Sequence, residues 1–153
     1  MAVSRSNILA NILLLAMTVS VQAGPAADAI GQIKTETGTV RLERGSAARP
    51  AVIGDHIAQS DVIQTGADGT VGITFADNSM MSLGPNSRLS LDRFRFNTTT
   101  HVGVFDSSLR KGTLAVKSGD IVRQTPEAMH VRTPAALLGV RGTDFVVRAG
   151  GGS

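Results

Sequence analysis

Few residues in this chain have the type and spacing that chemistry demands. The histidines, His56, His101 and His130, lie far apart, and none has a partner at metal-ligand spacing. No cysteine is present, which excludes thiolate chemistry and disulfides alike. Ser79 and Ser87 fall in turns and not in a Gly-x-Ser-x-Gly elbow. No Gly-x-x-x-x-Gly-Lys-Ser/Thr loop occurs, and Gly150-Gly151-Gly152 reads as a tail, not a phosphate cradle. Asp55, Asp61, Asp68 and Asp77 recur along turns but lack the dense Asp-x-Asp-x-Asp-Gly order of a calcium loop, so turn formation explains them better. The expectation is a protein that is not an enzyme and holds no metal or cofactor.

Arginine carries what recognition chemistry remains. In Arg93-Phe94-Arg95-Phe96, a strand presents both guanidinium groups on one face and both rings on the other. Guanidinium forks suit carboxylate or phosphate, so Arg93 and Arg95 are candidate binding residues. The preferred reading is plainer, with Phe94 and Phe96 in the core and the arginines solvated. The change of phase from Leu89/Leu91 to Phe94/Phe96 predicts a bulge near Asp92 or Arg93. Further on, Gly139 and Gly142 bracket Val140-Arg141, which predicts close backbone approach on both sides of an arginine. The five donors of Arg141 suit it to brace the closing strand against backbone carbonyls or a carboxylate such as Asp144. The alternative is a docking site made by Arg141 and Thr143.

The elements that must hold these residues read as strands almost everywhere after residue 30. Thr70 to Phe75 alternates, with Val71, Ile73 and Phe75 on one face; Arg88 to Asp92, Thr113 to Lys117 and Thr39 to Glu43 repeat the pattern. Turn signals punctuate them at Gly54-Asp55, Gly66-Ala67-Asp68-Gly69, Asp77-Asn78-Ser79, Gly84-Pro85-Asn86-Ser87, Lys111-Gly112 and Ser118-Gly119-Asp120. Many short strands without a long 3.6-residue pattern predict a single all-β domain: a solenoid or roll, or a sandwich. Gly54-Asp55-His56-Ile57 is echoed by Gly119-Asp120-Ile121, either as two stacked layers or as a common turn pair used twice.

Residues 1–23 have the pattern of an export signal. Arg5 is the positive end, Ile8 to Val19 the apolar stretch, and Val21-Gln22-Ala23 a small-residue cleavage site, with Ala27-Asp28-Ala29 as a second. The apolar stretch is 12 residues, against roughly 20 for a bilayer span, so a cleaved signal is preferred to an uncleaved anchor. Without a cysteine, lipid anchoring as a lipoprotein is excluded. About 130 residues remain, enough for one core. They divide into a lead-in at 24–37, a β domain at 38–149 and a tail at 150–153. The whole chain carries 15 Lys+Arg against 12 Asp+Glu; loss of Arg5 leaves 14 against 12, a net +2. That is too little to predict nucleic-acid binding. The high pI of about 10.2 follows from the absence of Tyr and Cys.

The most specific pattern runs from His130 to Val147. It reads Val131-x-Thr133-Pro134-x-Ala136, then Gly139-Val140-Arg141-Gly142-Thr143, then Phe145-x-Val147. Pro134 keeps Thr133 extended, Ala135 to Leu138 suit a buried turn or short helical corner, and Phe145 and Val147 share a face of the last strand. This pattern resembles the signature of the FecR domain. Gly54-Asp55-x-Ile57, Asp61-Val62-Ile63-x-Thr65-Gly66, Gly69-x-Val71-x-Ile73-x-Phe75-x-Asp77, Leu83-x-Pro85-x-Ser87-x-Leu89 and Leu109-x-x-Gly112-x-Leu114-x-Val116 extend the resemblance from Gly54 to Val147. It implies a periplasmic module of the kind that relays a signal from an outer-membrane receptor to a sigma factor. Sigma-regulating members carry an anti-sigma segment and a membrane span ahead of this domain and a docking subdomain after it. Here a signal stands in the first place and Gly151-Gly152-Ser153 in the last. The expectation is therefore an exported interaction or signalling module with an envelope protein as partner. A structural or glycan-associated envelope protein is the alternative, disfavoured by the lack of Trp and Tyr platforms. The sequence leaves the oligomeric state open.

Overall fold

The computed structural model describes residues 28–142 and 144–150. The expected signal at 1–23, residues 24–27, Thr143 and residues 151–153 lie outside the described residues. Strands dominate: β1 (Ala29–Thr37), β2 (Val40–Arg44), β3 (Ala47–Pro50), β4 (His56–Ala58), β5 (Val62–Thr65), β6 (Thr70–Phe75), β7 (Met80–Leu83), β8 (Arg88–Phe96), β9 (Gly103–Lys117), β10 (Met129–Arg132), β11 (Leu137–Gly139) and β12 (Asp144–Ala149). Among the described residues one single-turn helix, α1 (Asp120–Gln124), interrupts them. The domain is all-β, as its alternation predicts, and its form is a curled sheet.

The 15-residue β9 is the spine. β7 and β8 follow one another antiparallel along it, Leu83 opposite Leu114 and Arg88 opposite Lys111, linked by the Gly84 N–H donating to the Thr113 carbonyl at 3.0 Å. β10 and β12 line the other edge: β10 is parallel to residues 105–108 and β12 antiparallel to residues 112–117. One wing continues from β7 through β6 and β1 to β4; the other continues from β8 through β5 and β2 to β3. The wings face each other across one core. Phe75 of β6 meets Phe105 of β9 edge-on at 4.6 Å, and Phe105 meets Phe94 of β8 at 5.0 Å. Around them Ile33, Ile57, Ile63, Leu89, Leu91, Leu109 and Leu114 are fully buried.

The alternating runs lie where the pattern places them, and the predicted bulge falls between Leu91 and Arg93. Three local expectations need correction, and one pair of open alternatives is decided. The stretch 24–37, set apart as a lead-in, contains β1, which lies between β4 and β6 and buries Ile33 completely. Lys111-Gly112 is not a turn but the bend at which β9 passes from one wing to the other. Gly119-Asp120 opens α1 whereas Gly54-Asp55 opens β4, so the echo is not a repeated layer. Ala135 to Leu138 are exposed and lead into strand β11 instead of forming a buried corner.

Candidate functional site

Period-2 alternation sends Phe94 of β8 into the core and leaves Arg93 and Arg95 exposed on the outside. Phe96 is only half-buried, its ring 5.8 Å from that of His101 at the hairpin leading to β9. The bulge at Asp92 aligns Arg93 with Asp106 of β9, and β10 brings His130 to the other side of the same residue. Asp106 thus joins the two regions singled out in the sequence. Arg93 Nε donates to Asp106 Oδ2 at 2.9 Å, and His130 Nδ1 lies 2.9 Å from Oδ1. An ionised carboxylate only accepts, so Nδ1 holds the proton, whichever charge the ring carries.

The next row of the same outer face runs Ser90, Ser108, Arg132 and Leu137 across β8, β9, β10 and β11. Ser108 Oγ donates to Asp92 at the bulge. Between the two rows lies a cleft of about 260 Å³, lined by Asp92, Arg93, Asp106, His130, Arg132 and Leu137. Arg132 has no ion pair among the described residues, while Leu137 is 60% exposed beside it. A guanidinium next to an exposed apolar side chain fits a carboxylate-bearing, partly apolar protein surface. No cluster with metal-binding composition occurs among the described residues.

The other predicted residues are distributed differently. Arg95, opposite Val104, stands outside the cleft. Thr133 caps its own turn, accepting the N–H of Ala136 at 3.1 Å after Pro134 has set the chain extended. Gly139 ends β11, and Val140 is buried with its N–H donated to the Met129 carbonyl at 2.9 Å. Among the described residues no atom lies within 4 Å of the place a Cβ would occupy at Gly139 or Gly142, so no close approach there explains them. Arg141 does pair with a carboxylate, but with Glu127 at 2.6 Å and not with Asp144. Both partners are mostly exposed, which makes the pair a poor brace. Thr143 lies outside the described residues. Phe145 is half-buried and Val147 buried on one face of β12, as expected.

Sequence reasoning missed Asp106 and Arg132. Asp106 sits in the alternating run Val104-Phe105-Asp106-Ser107-Ser108-Leu109, which predicts a strand with Asp106 outward but cannot say what lies across from it. Arg132 lies within the signature, but unlike Arg141 it has no bracketing glycines to mark it.

The fold defines the class: a nearly all-β, curled-sheet domain in which β10 and β12 are laid along the long central β9. A family model described as FecR protein matches residues 61–153, and the chain belongs to that family, a family of regulatory and signalling proteins. The match takes in β5 to β12, while β1 to β4 precede it yet complete both wings. No curated protein and no solved structure matches the chain.

Proposed function

We propose that this protein is an exported, non-catalytic FecR-type module that binds an envelope protein in a signalling system, using the outer face of β8 to β11. The observation that carries this reading is the meeting of Arg93 and His130 on Asp106, beside the exposed Leu137 and an Arg132 that has no ion pair among the described residues. Export rests on the composition of residues 1–23. No helix among the described residues is long and apolar enough to cross a membrane.

Periplasmic photocrosslinking from position 137, in place of Leu137, tests the reading. Arg132→Ser, and separately the pair Arg93→Ser with Arg95→Ser, should each reduce a discrete crosslink to an envelope protein. A crosslink pattern that none of these changes alters would sink the assignment of this face. Deletion of residues 1–23 should leave the protein in the cytoplasm; continued appearance in the periplasm would overturn the reading of that segment.

A further inference from the structure

Among the described residues β12 is an edge strand. It pairs with β9 on one side, and no backbone hydrogen bond among the described residues leaves its other side. An uncovered edge accepts another strand unless proline, a bulge or unfavourable charge prevents it. β12 contains no proline, and its register runs unbroken from Asp144 opposite Lys117 to Ala149 opposite Gly112.

The outward side chains of this edge are Asp144, Val146 and Arg148, all exposed, with Val146 at 63%. Neither charged residue has an ion pair among the described residues. Acid, apolar and base on alternate residues are complementary to themselves when the strand is laid antiparallel on its own copy. With the two-fold axis at Val146, that residue meets its own copy and Asp144 faces Arg148 of the second copy on both sides. A shift of two residues sets the charges against valine, and a parallel arrangement sets Asp144 against Asp144. Only one register satisfies the whole strand.

We propose that two copies of this chain associate through β12 in this register, joining their curled sheets into one continuous sheet. The inner face agrees: half-buried Phe145 comes opposite Val147 of the second copy, which covers the exposed part of its ring. The outer face agrees too. Met80, Ala115 and Val146 line a shallow apolar groove of about 380 Å³ beside β12, and the row Ser82, Ala115, Val146 runs on into the same row of the second copy. The contact is isologous, so it closes at a dimer and does not propagate. A single strand pair is a small interface, so the dimer is a weak one. The inference is independent of which partner occupies the polar cleft.

Sedimentation equilibrium over a concentration series, on the full chain purified as the cell makes it, tests the proposal. The unaltered protein should show a reversible monomer–dimer equilibrium. Asp144→Arg alone and Arg148→Asp alone each set like charges opposite one another twice per dimer, and each should weaken association about tenfold or more. The double change Asp144→Arg/Arg148→Asp should restore it. Circular dichroism confirms folding; if a charge variant fails to fold, Val146→Lys, which sets two ammonium groups on the axis, replaces it. A protein monomeric at every concentration, a dimer indifferent to the single changes, or a double variant that remains monomeric would each overturn the proposal.

Discussion

Gly112 of β9 rests against Ser87, with no room for a side chain between them. A Cβ at Gly112 would lie 2.0 Å from Ser87 Oγ, and that hydroxyl accepts the Thr113 N–H at 2.9 Å. Gly112 also has φ +94°, a conformation that a side chain makes costly. The bend carries β9 from the wing of β8 to the wing of β7. Gly112→Ala should therefore destabilise the domain by about 2–4 kcal/mol, combining backbone strain with overpacking. Urea denaturation measures it; a loss below 1 kcal/mol would show that the corner relaxes freely.

Asp61 is fully buried and held by Arg44, whose Nε and Nη2 donate at 2.8 and 2.7 Å, and by the Ala58 N–H at 2.8 Å. This pair ties β2 to the turn between β4 and β5. Arg44→Ala strands a buried carboxylate. Because Arg44 itself is half-exposed, water offsets part of the loss, and the expected cost is about 2–3 kcal/mol. An unchanged chemical-denaturation midpoint would contradict this.

Asp55 contributes stability that depends on pH. Arg49, donating at 2.7 Å, lowers its pKa against the opposing effect of burial, and the Val52 N–H adds to the lowering. A folded pKa below the unfolded value means a contribution fully present above the unfolded value of about 3.9. It is lost as pH falls through the folded pKa. Asp55→Asn should flatten the dependence of stability on pH below about pH 4. Melting temperatures across an acid series would show this, and parallel curves for the two proteins would refute it.

Arg141, for all its place in the signature, should matter little to stability. Its partner Glu127 is exposed, and such pairs contribute about 0–1 kcal/mol. Arg141→Ala is expected to shift the denaturation free energy by less than about 1 kcal/mol. A larger loss would revive the brace that the sequence suggests.

Residues 28–60 precede the family match yet supply Ile33, Val40, Leu42 and Ile57 to the core. Each such side chain contributes about 1.5–3 kcal/mol, against about 5–15 kcal/mol for a whole domain. A chain beginning at Asp61 should therefore fail to fold, as dispersed amide NMR signals or their absence would reveal.

How much of this was legible in advance differs by element. The faces of β6, β8 and the second half of β9 could be read from alternation, because a strand's period of two is a local property of the backbone. The bulge at Asp92 could be read as well, since it changes that phase. β1 is not legible in the sequence because Ala29 to Thr37 buries only Ile30 and Ile33 and breaks register between Ile33 and Thr35, which blurs its pattern. Lys111-Gly112 reads as a turn because glycine permits a bend and a reversal equally; only the packing of Ser87 distinguishes them.

The sequence by itself determined the all-β class, the inward side of most strands and membership of the FecR family. These follow from side-chain period, turn chemistry and a specific string of residues. Only the tertiary structure decided which strands lie beside one another, and with that the joining of Arg93 and His130 on Asp106, the diversion of Arg141 to Glu127 and the open edge of β12. The reason is physical. Strand pairing is made by backbone hydrogen bonds that are the same for every residue, so a strand's sequence states which face is buried but does not name its neighbour.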